Sequence, residues 1–158
     1  MVDKIGRDKI RESLKNCDEI LDVGCNSEKV REDAIGVDIE DYGQEHISDY
    51  DELCLPPEMF DGISMSHFLE HMSDTRKVLS FSKNLLKTGG KIAIVVPHGE
   101  DVPSDTLGDS NLDHEHLFNP IILKKHLEHA GFKKVIAEDY KRPYHKNKTR
   151  GIFAEATK

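Results

Sequence analysis

Two groups of residues in this chain have the types and spacing to do chemistry. The first is Glu19-Ile20-Leu21-Asp22-Val23-Gly24-Cys25, followed by Ala34-Ile35-Gly36-Val37-Asp38-Ile39. Each is an apolar run short enough for a buried strand, the first ending in a glycine and the second in an acid. Glycine lets a backbone approach a ligand closely, and a carboxylate at the tip of the next strand can accept from both hydroxyls of a ribose. The pair is therefore a nucleoside-binding arrangement. Taken singly, Asp22-Val23-Gly24 also fits an ordinary strand-to-turn junction, Asp38 a solvated strand end, and Asp49 a loop acid before a turn.

The second group is His67-Phe68-Leu69-Glu70-His71 with His114-Glu115-His116 downstream. As a bare string the first segment is HxxEH, in which two histidines on one helix face bind zinc and the glutamate acts as base. A hydrolase needs that motif on a long helix with further ligands, whereas Ser73 opens a new helix two residues later. The same side chains also suit a hydrogen-bonded structural cluster, the preferred reading, which assigns no metal ligand. Alternatively, imidazoles that titrate near neutral pH can serve as bases beside an acceptor, and His67, His98, His114 and His116 are the candidates.

Short apolar runs alternate with helical stripes, the pattern of a mostly parallel sheet with covering helices. Strands are expected at 19–23, 34–38, 45–48, 60–64, 91–96, 133–138 and 151–156. A helix is expected from Asp74 to Lys87, burying Val78, Leu79, Phe81, Leu85 and Leu86, with Ser73 as N-cap and Gly89-Gly90 as terminator. Another runs from Pro120 to Ala130, capped by Asn119 and stopped by Gly131. The first half is compressed. Only 24–33 separate its first two strands, too few for a usual helical crossover, and Pro56-Pro57 forbids a helix before the fourth. One sheet face is then thinly covered, which predicts either a partner subunit or burial under the helix expected from Asp3 to Lys15.

At 158 residues and 37% hydrophobic, the chain is sized for one domain with a real core. No apolar run approaches a membrane span and the N-terminus lacks a signal peptide's apolar segment, so a cytoplasmic protein is expected. Cys17, Cys25 and Cys54 are scattered without CxxC spacing and read as reduced packing or loop residues. Residues 1–117 carry 12 basic and 26 acidic side chains, whereas 118–158 carry 10 and 4. So acidic a body repels nucleic-acid phosphates, leaving a nucleic-acid substrate to the basic tail alone.

Four segments, in their order and spacing, resemble the class I S-adenosylmethionine-dependent methyltransferases, in particular the small-molecule "type 11" branch. Ile20 to Cys25 is similar to that family's first motif and Gly36-Val37-Asp38 to its acidic second motif. Asp49 to Pro56, running into Phe60 to His71, is similar to its adenine-binding acid and fourth strand. Gly89 to Pro97, with His114 to Pro120 and His129 to Phe132, is similar to the fifth strand and the helix after it. The match spans roughly 18 to 140.

The resemblance implies a Rossmann-like three-layer α/β sandwich with a seven-stranded, mostly parallel sheet, the last strand antiparallel; the short spacing adds reduced helices in the first half. It implies one methyltransferase-like domain over 1–158: an N-terminal helix (1–17), a cofactor-binding half (18–97) and an acceptor-side half (98–158). S-adenosyl-L-methionine is the implied cofactor, held by Asp22, Gly24, Asn26, Asp38, Ile39, Asp49, Tyr50, Ser64 and Ser66, with the backbone of Tyr50 at the adenine edge. His67, His114 and His116, from the candidate bases above, are the expected catalytic residues. The family's loop reads Asp-x-Gly-x-Gly-x-Gly, but here the second and third glycines are Asn26 and Glu28, placing a side chain where the methionine part would pass. Some metal-dependent O-methyltransferases carry ExxEH where this chain has His67, Glu70 and His71, and chelate an ion that orients the acceptor hydroxyl. The expected activity is methyl transfer to oxygen or nitrogen of a small or medium-sized acceptor. A non-catalytic cofactor-binding or scaffolding subunit of the same fold is the alternative, and a metal-dependent hydrolase is less favoured. The expected partners are the acceptor and a second copy or partner subunit, with no nucleic acid and no membrane.

Overall fold

The computed structural model describes residues 3–101, 115–142 and 149–158. Along the chain run α1 (Lys4–Ser13), β1 (Ile20–Val23), β2 (Ile35–Asp38), β3 (His46–Ile47), β4 (Phe60–Ser66), α2 (Thr75–Leu85), β5 (Leu86–Pro97), α3 (Pro120–His129), β6 (Lys133–Lys141) and β7 (Arg150–Thr157). The strands form one sheet in the order β3-β2-β1-β4-β5-β7-β6. The first five are parallel, and β7 runs antiparallel between β5 and β6. All seven expected strands are present, with β4, β5, β6 and β7 longer than the sequence pattern indicates.

The central strands alternate between two buried faces, as strands covered on both sides must. In β5, Ile92, Ile94 and Val96 pack into one core with Val78 and Leu79 of α2 and Leu123 and Leu127 of α3. Ala93 and Val95 enter the other, with Ile10 and Leu14 of α1, Ile20, Val30, Ala34 and Phe153. Ile10, Leu14, Leu79 and Leu127 are each at most 1% exposed, and each such burial is worth roughly 1.5–3 kcal/mol. Thus α1 supplies the helix that the first half lacks. The loop between β1 and β2 contributes Val30 and Ala34 to the same face without forming a helix.

Two helix ends differ from the sequence expectation. Asp74, not Ser73, caps α2, its carboxylate accepting from the Lys77 N–H at 2.9 Å. A carboxylate there also favours the helix dipole, which a serine hydroxyl does less. The helix stops at Leu85, before the glycine pair, because Leu86 already pairs with Phe60 of β4. Gly89, at φ +80°, lies instead in the irregularity between that pair and Gly62–Lys91. Asn119 caps α3 as expected, accepting from the Ile122 N–H at 2.8 Å.

From β1 the chain steps through β2 to β3 at one edge, then returns to place β4 on the other side of β1. The carboxyl ends of β1 and β4 are therefore the topological switch point, where an open α/β sheet leaves a crevice for a ligand. Among the described residues, no helix is long and apolar enough to cross a membrane.

Candidate functional site

At the end of β1, Gly24 adopts φ +66°, a left-handed turn that costs other residues free energy. A Cβ there would meet the Phe68 ring at 2.8 Å, so glycine is required on steric grounds as well. The N–H groups of Gly24 and Cys25 both donate to the Val37 carbonyl, at 2.9 and 3.4 Å. Asn26 also turns left-handed, at φ +53°, a geometry asparagine tolerates. Its N–H donates to Asp38 Oδ2 at 2.9 Å, and its side-chain oxygen accepts from the Ser27 N–H at 2.8 Å. The turn thus survives the loss of the second glycine.

Asp22 lies beneath this loop, 2% exposed. Its Oδ2 accepts from the Val30 N–H at 2.6 Å and its Oδ1 from the Ser64 hydroxyl. Burial raises its pKa, partly offset by those two bonds. Asp22 and Ser64 together staple the loop to β4. Burial, reinforced by the charges of Asp22 and Asp38, pushes the Cys25 thiol up to about 11, so it stays protonated and unreactive near neutral pH.

Asp38 ends β2 with one carboxylate oxygen on the glycine loop and the other only 3.4 Å from the Glu40 N–H. Ile39 beside it is 65% exposed, an apolar surface at the sheet's edge. A hollow of about 300 Å³ opens nearby, lined in part by Asn26, Ser27, Tyr42 and Gln44. Asp49 precedes a short 3-10 turn at Tyr50–Glu52, and its side chain makes no capping bond. The Tyr50 side chain is core: its hydroxyl bonds Ser82 at 2.9 Å, and its ring meets Phe68 and Phe81 edge-on. Ser66, half-buried, closes β4.

The histidine group gathers around two buried carboxylates. His67, at φ +54°, directs Nδ1 to Glu70 at 3.2 Å and Nε2 to Asp3 at 3.1 Å. Burial lowers the His67 pKa, but the hydrogen bonds to Asp3 and Glu70 outweigh it and the net shift is upward. A carboxylate on each side favours the imidazolium, the form in which both ring nitrogens donate. Asp3, the N-cap of α1, also accepts from the Gly6 N–H at 3.0 Å and from the Tyr140 hydroxyl, and it forms an ion pair with Arg142 Nε at 3.1 Å. Burial works to raise its pKa, yet these partners together hold it far below the carboxylate range. Glu70 is fully buried; its Oε2 has no hydrogen-bond partner, while its backbone carbonyl accepts from the N–H groups of Glu115 and His116.

His116 is half-buried, with Nε2 3.4 Å from the Ser73 carbonyl and its ring 6.0 Å from that of Phe118. His114 lies outside the described residues. His98 is 3% exposed, accepting from the Glu100 N–H through Nδ1 at 3.2 Å, with Nε2 3.6 Å from Asp139. The HxxEH string does not form the zinc-protease element, because Leu69–His71 is a 3-10 turn entered through a left-handed residue rather than part of a long helix. Among the described residues no group of three or more His, Cys, Asp or Glu is placed to hold a metal ion.

The fold therefore brings Gly24, Asn26 and Asp38 together at the switch point, keeps Asp22 and Ser64 as supports below, and sets Asp49 on the neighbouring loop. Sequence reasoning missed Asp3, Arg7 and Phe68. Asp3 shows locally only as a helix cap, and its bonds to His67, Tyr140 and Arg142 cross 64 to 139 positions.

A family model described as a methyltransferase domain matches residues 4–137. A search of curated proteins finds no match. Among solved structures, the chain is similar to a SAM-dependent methyltransferase from Archaeoglobus fulgidus (21% identity, 96% of this chain and 94% of that one, TM-score 0.71). It is also similar to the 1,6-didemethyltoxoflavin N1-methyltransferase of Burkholderia thailandensis, solved with S-adenosylhomocysteine (16%, 98% and 77%, TM-score 0.75). A third likeness is to the Haloferax volcanii complex of the Trm112 methyltransferase activator with a methyltransferase (15%, 98% and 92%, TM-score 0.70). With the strand order, the glycine turn and the acid ending β2, the family match shows that the chain belongs to the methyltransferase-domain family and is a class I S-adenosylmethionine-dependent enzyme.

Proposed function

We propose that this chain transfers a methyl group from S-adenosylmethionine to an oxygen or nitrogen of a small or medium-sized polar acceptor. The observation that carries the reading is the Asp38 carboxylate, bound through one oxygen to the glycine loop and nearly unengaged at the other. A carboxylate already oriented by its own loop can accept from ribose hydroxyls without reorganising. Gly24 gives the nucleoside a close approach, Ile39 offers the adenine an apolar surface, and Asp49 accepts from its exocyclic amine.

When bound, the cofactor supplies an activated sulfonium methyl, so the protein has mainly to align the acceptor and keep its nucleophile unprotonated. Of the described histidines, His116 is the proposed base, since among the described residues the one polar contact of its ring is a long 3.4 Å approach to a carbonyl. His114 is proposed with it from the sequence. Both ring nitrogens of His67 face carboxylates, Glu70 and Asp3, so its proposed part is to hold the charged cluster beside the acceptor side. The acidic body, with 26 acidic side chains against 12 basic over 1–117, favours an acceptor other than nucleic acid.

Calorimetry with S-adenosylhomocysteine tests the reading. Asp38→Ala should weaken binding by about 1.5–3 kcal/mol, the range for hydrogen bonds to a charged group. Equal affinity in the variant removes Asp38 from the site, and a wild type that does not bind overturns the cofactor assignment.

A further inference from the structure

The glycine loop of this chain has lost two glycines and the helix that ordinarily follows it, and its anion-binding capacity goes with them. A helix N-terminus binds a carboxylate because its first N–H groups are unpaired and its dipole points the same way. Here no helix occupies 24–34, and the donors of the glycine turn itself, residues 24–27, are already engaged. The N–H groups of Gly24 and Cys25 bond the Val37 carbonyl, that of Asn26 bonds Asp38, that of Ser27 bonds the Asn26 side chain, and that of Val30 bonds Asp22. A cofactor whose amino-acid end carries a carboxylate needs its positive partner from elsewhere.

Arg7 of α1 reaches this loop from below. It is 7% exposed, its guanidinium donates to the carbonyl of Glu28 at the third glycine position, and its Nε is buried without a partner. Among the described residues no carboxylate forms an ion pair with it, whereas the other cations around the loop are matched. Lys29 pairs with Glu45, Arg31 with Asp33, and Arg11 with Asp8. Asp22 feels the charge of Arg7, but its two oxygens already accept from Val30 and Ser64. A buried guanidinium with no carboxylate directly paired to it is costly, and it is the group best suited to a carboxylate.

We propose that Arg7 is the carboxylate-recognising residue of the cofactor site, its guanidinium at the loop serving as counter-ion to the amino-acid end of the ligand. The N-terminal helix is then part of the binding site as well as the cover of a sheet face. This rests on the cofactor reading above.

The test compares two ligands by calorimetry: S-adenosylhomocysteine, and 5′-methylthioadenosine, which keeps the nucleoside and thioether but lacks the carboxylate. In Arg7→Gln the affinity for S-adenosylhomocysteine should fall by about tenfold or more, while that for methylthioadenosine stays within about twofold. Equal losses for both ligands mean that Arg7 only props the loop, and no loss for either means that it is uninvolved; both overturn the proposal. Arg7→Lys, which keeps the charge but not the planar fork, should lie between wild type and Arg7→Gln. Should Arg7→Gln fail to fold, the wild type alone decides: the carboxamide of S-adenosylhomocysteine should bind about tenfold more weakly than the acid, and equal affinities overturn the proposal. A wild type that binds neither nucleoside removes the cofactor reading itself, a result distinct from all of these.

Discussion

The two faces of the sheet are built on different principles. One is covered by α2 and α3 and is almost wholly apolar, with Leu79, Leu85, Leu123 and Leu127 fully buried against Leu21, Ile63, Ile92 and Ile94. The other is covered by a single helix, α1, and mixes Ile10 and Leu14 with buried Arg7 and Asp22 and with the Asp3–His67–Glu70 cluster. The first face is non-directional packing that any well-fitting hydrophobic set could supply. The second has specific polar partners, because it lies under the loop and turns of the candidate site. Stability and the proposed function are therefore separable on one face and joined on the other.

The largest effect should come from removing the helix that makes the second face. Deleting residues 1–15 exposes the sheet surface under Ile10 and Leu14 and leaves His67, Tyr140 and Arg142 without Asp3. Each buried aliphatic side chain is worth about 1.5–3 kcal/mol and stranded buried polar groups add to the loss. The variant should lose its cooperative thermal transition or self-associate, read by calorimetry and light scattering. A monomer as stable as wild type contradicts this account of the face.

On the apolar side, Leu127→Ala should cost about 2–5 kcal/mol through the cavity it leaves. S-adenosylhomocysteine affinity should remain unchanged once the protein is folded. A parallel loss of affinity means that the two faces are not separable in the way described.

The smallest effect sharpens the comparison through pH. The Asp3 pKa is depressed in the folded state, so its contribution is present above the unfolded value of about 3.9 and is lost as pH falls through the folded value. The His67 pKa is raised, so its contribution is complete below about 6.5 and is lost as pH rises through the folded value. The cluster is thus strongest between about pH 4 and 6.5. The melting temperature should decline as pH rises from 6 to about 9, and His67→Gln should flatten that decline. A wild-type profile with no slope there excludes a charged His67 as a support of this face.

Much of the fold was legible because its signals are local. Seven apolar runs of strand length and the stripes around Leu79 and Leu123 are fixed by neighbours within a few positions. Gly24 and Asp38 were legible for the same reason, each sitting where an apolar run ends. The α2 cap and stop were misplaced because Ser73 and Asp74 both suit a cap, and because strand pairing by Leu86 ended the helix before its glycines could. The site's supports were not legible. Ser64 on Asp22, Phe68 on Gly24 and Arg7 on Glu28 are partners separated by 21 to 44 positions, and no short-range pattern marks them.

The sequence by itself determined the family, the seven strands, the two helices of the apolar face and the strand-end positions of Gly24 and Asp38, because periodicity and end signals are written within single elements. Only the tertiary structure decided which helix replaced the missing crossover, that Asp22 faces inward as a staple, and that Asp3 gathers His67, Tyr140 and Arg142. Those are contacts between elements. They depend on strand order and on which face each side chain takes, and these are set when distant segments pack.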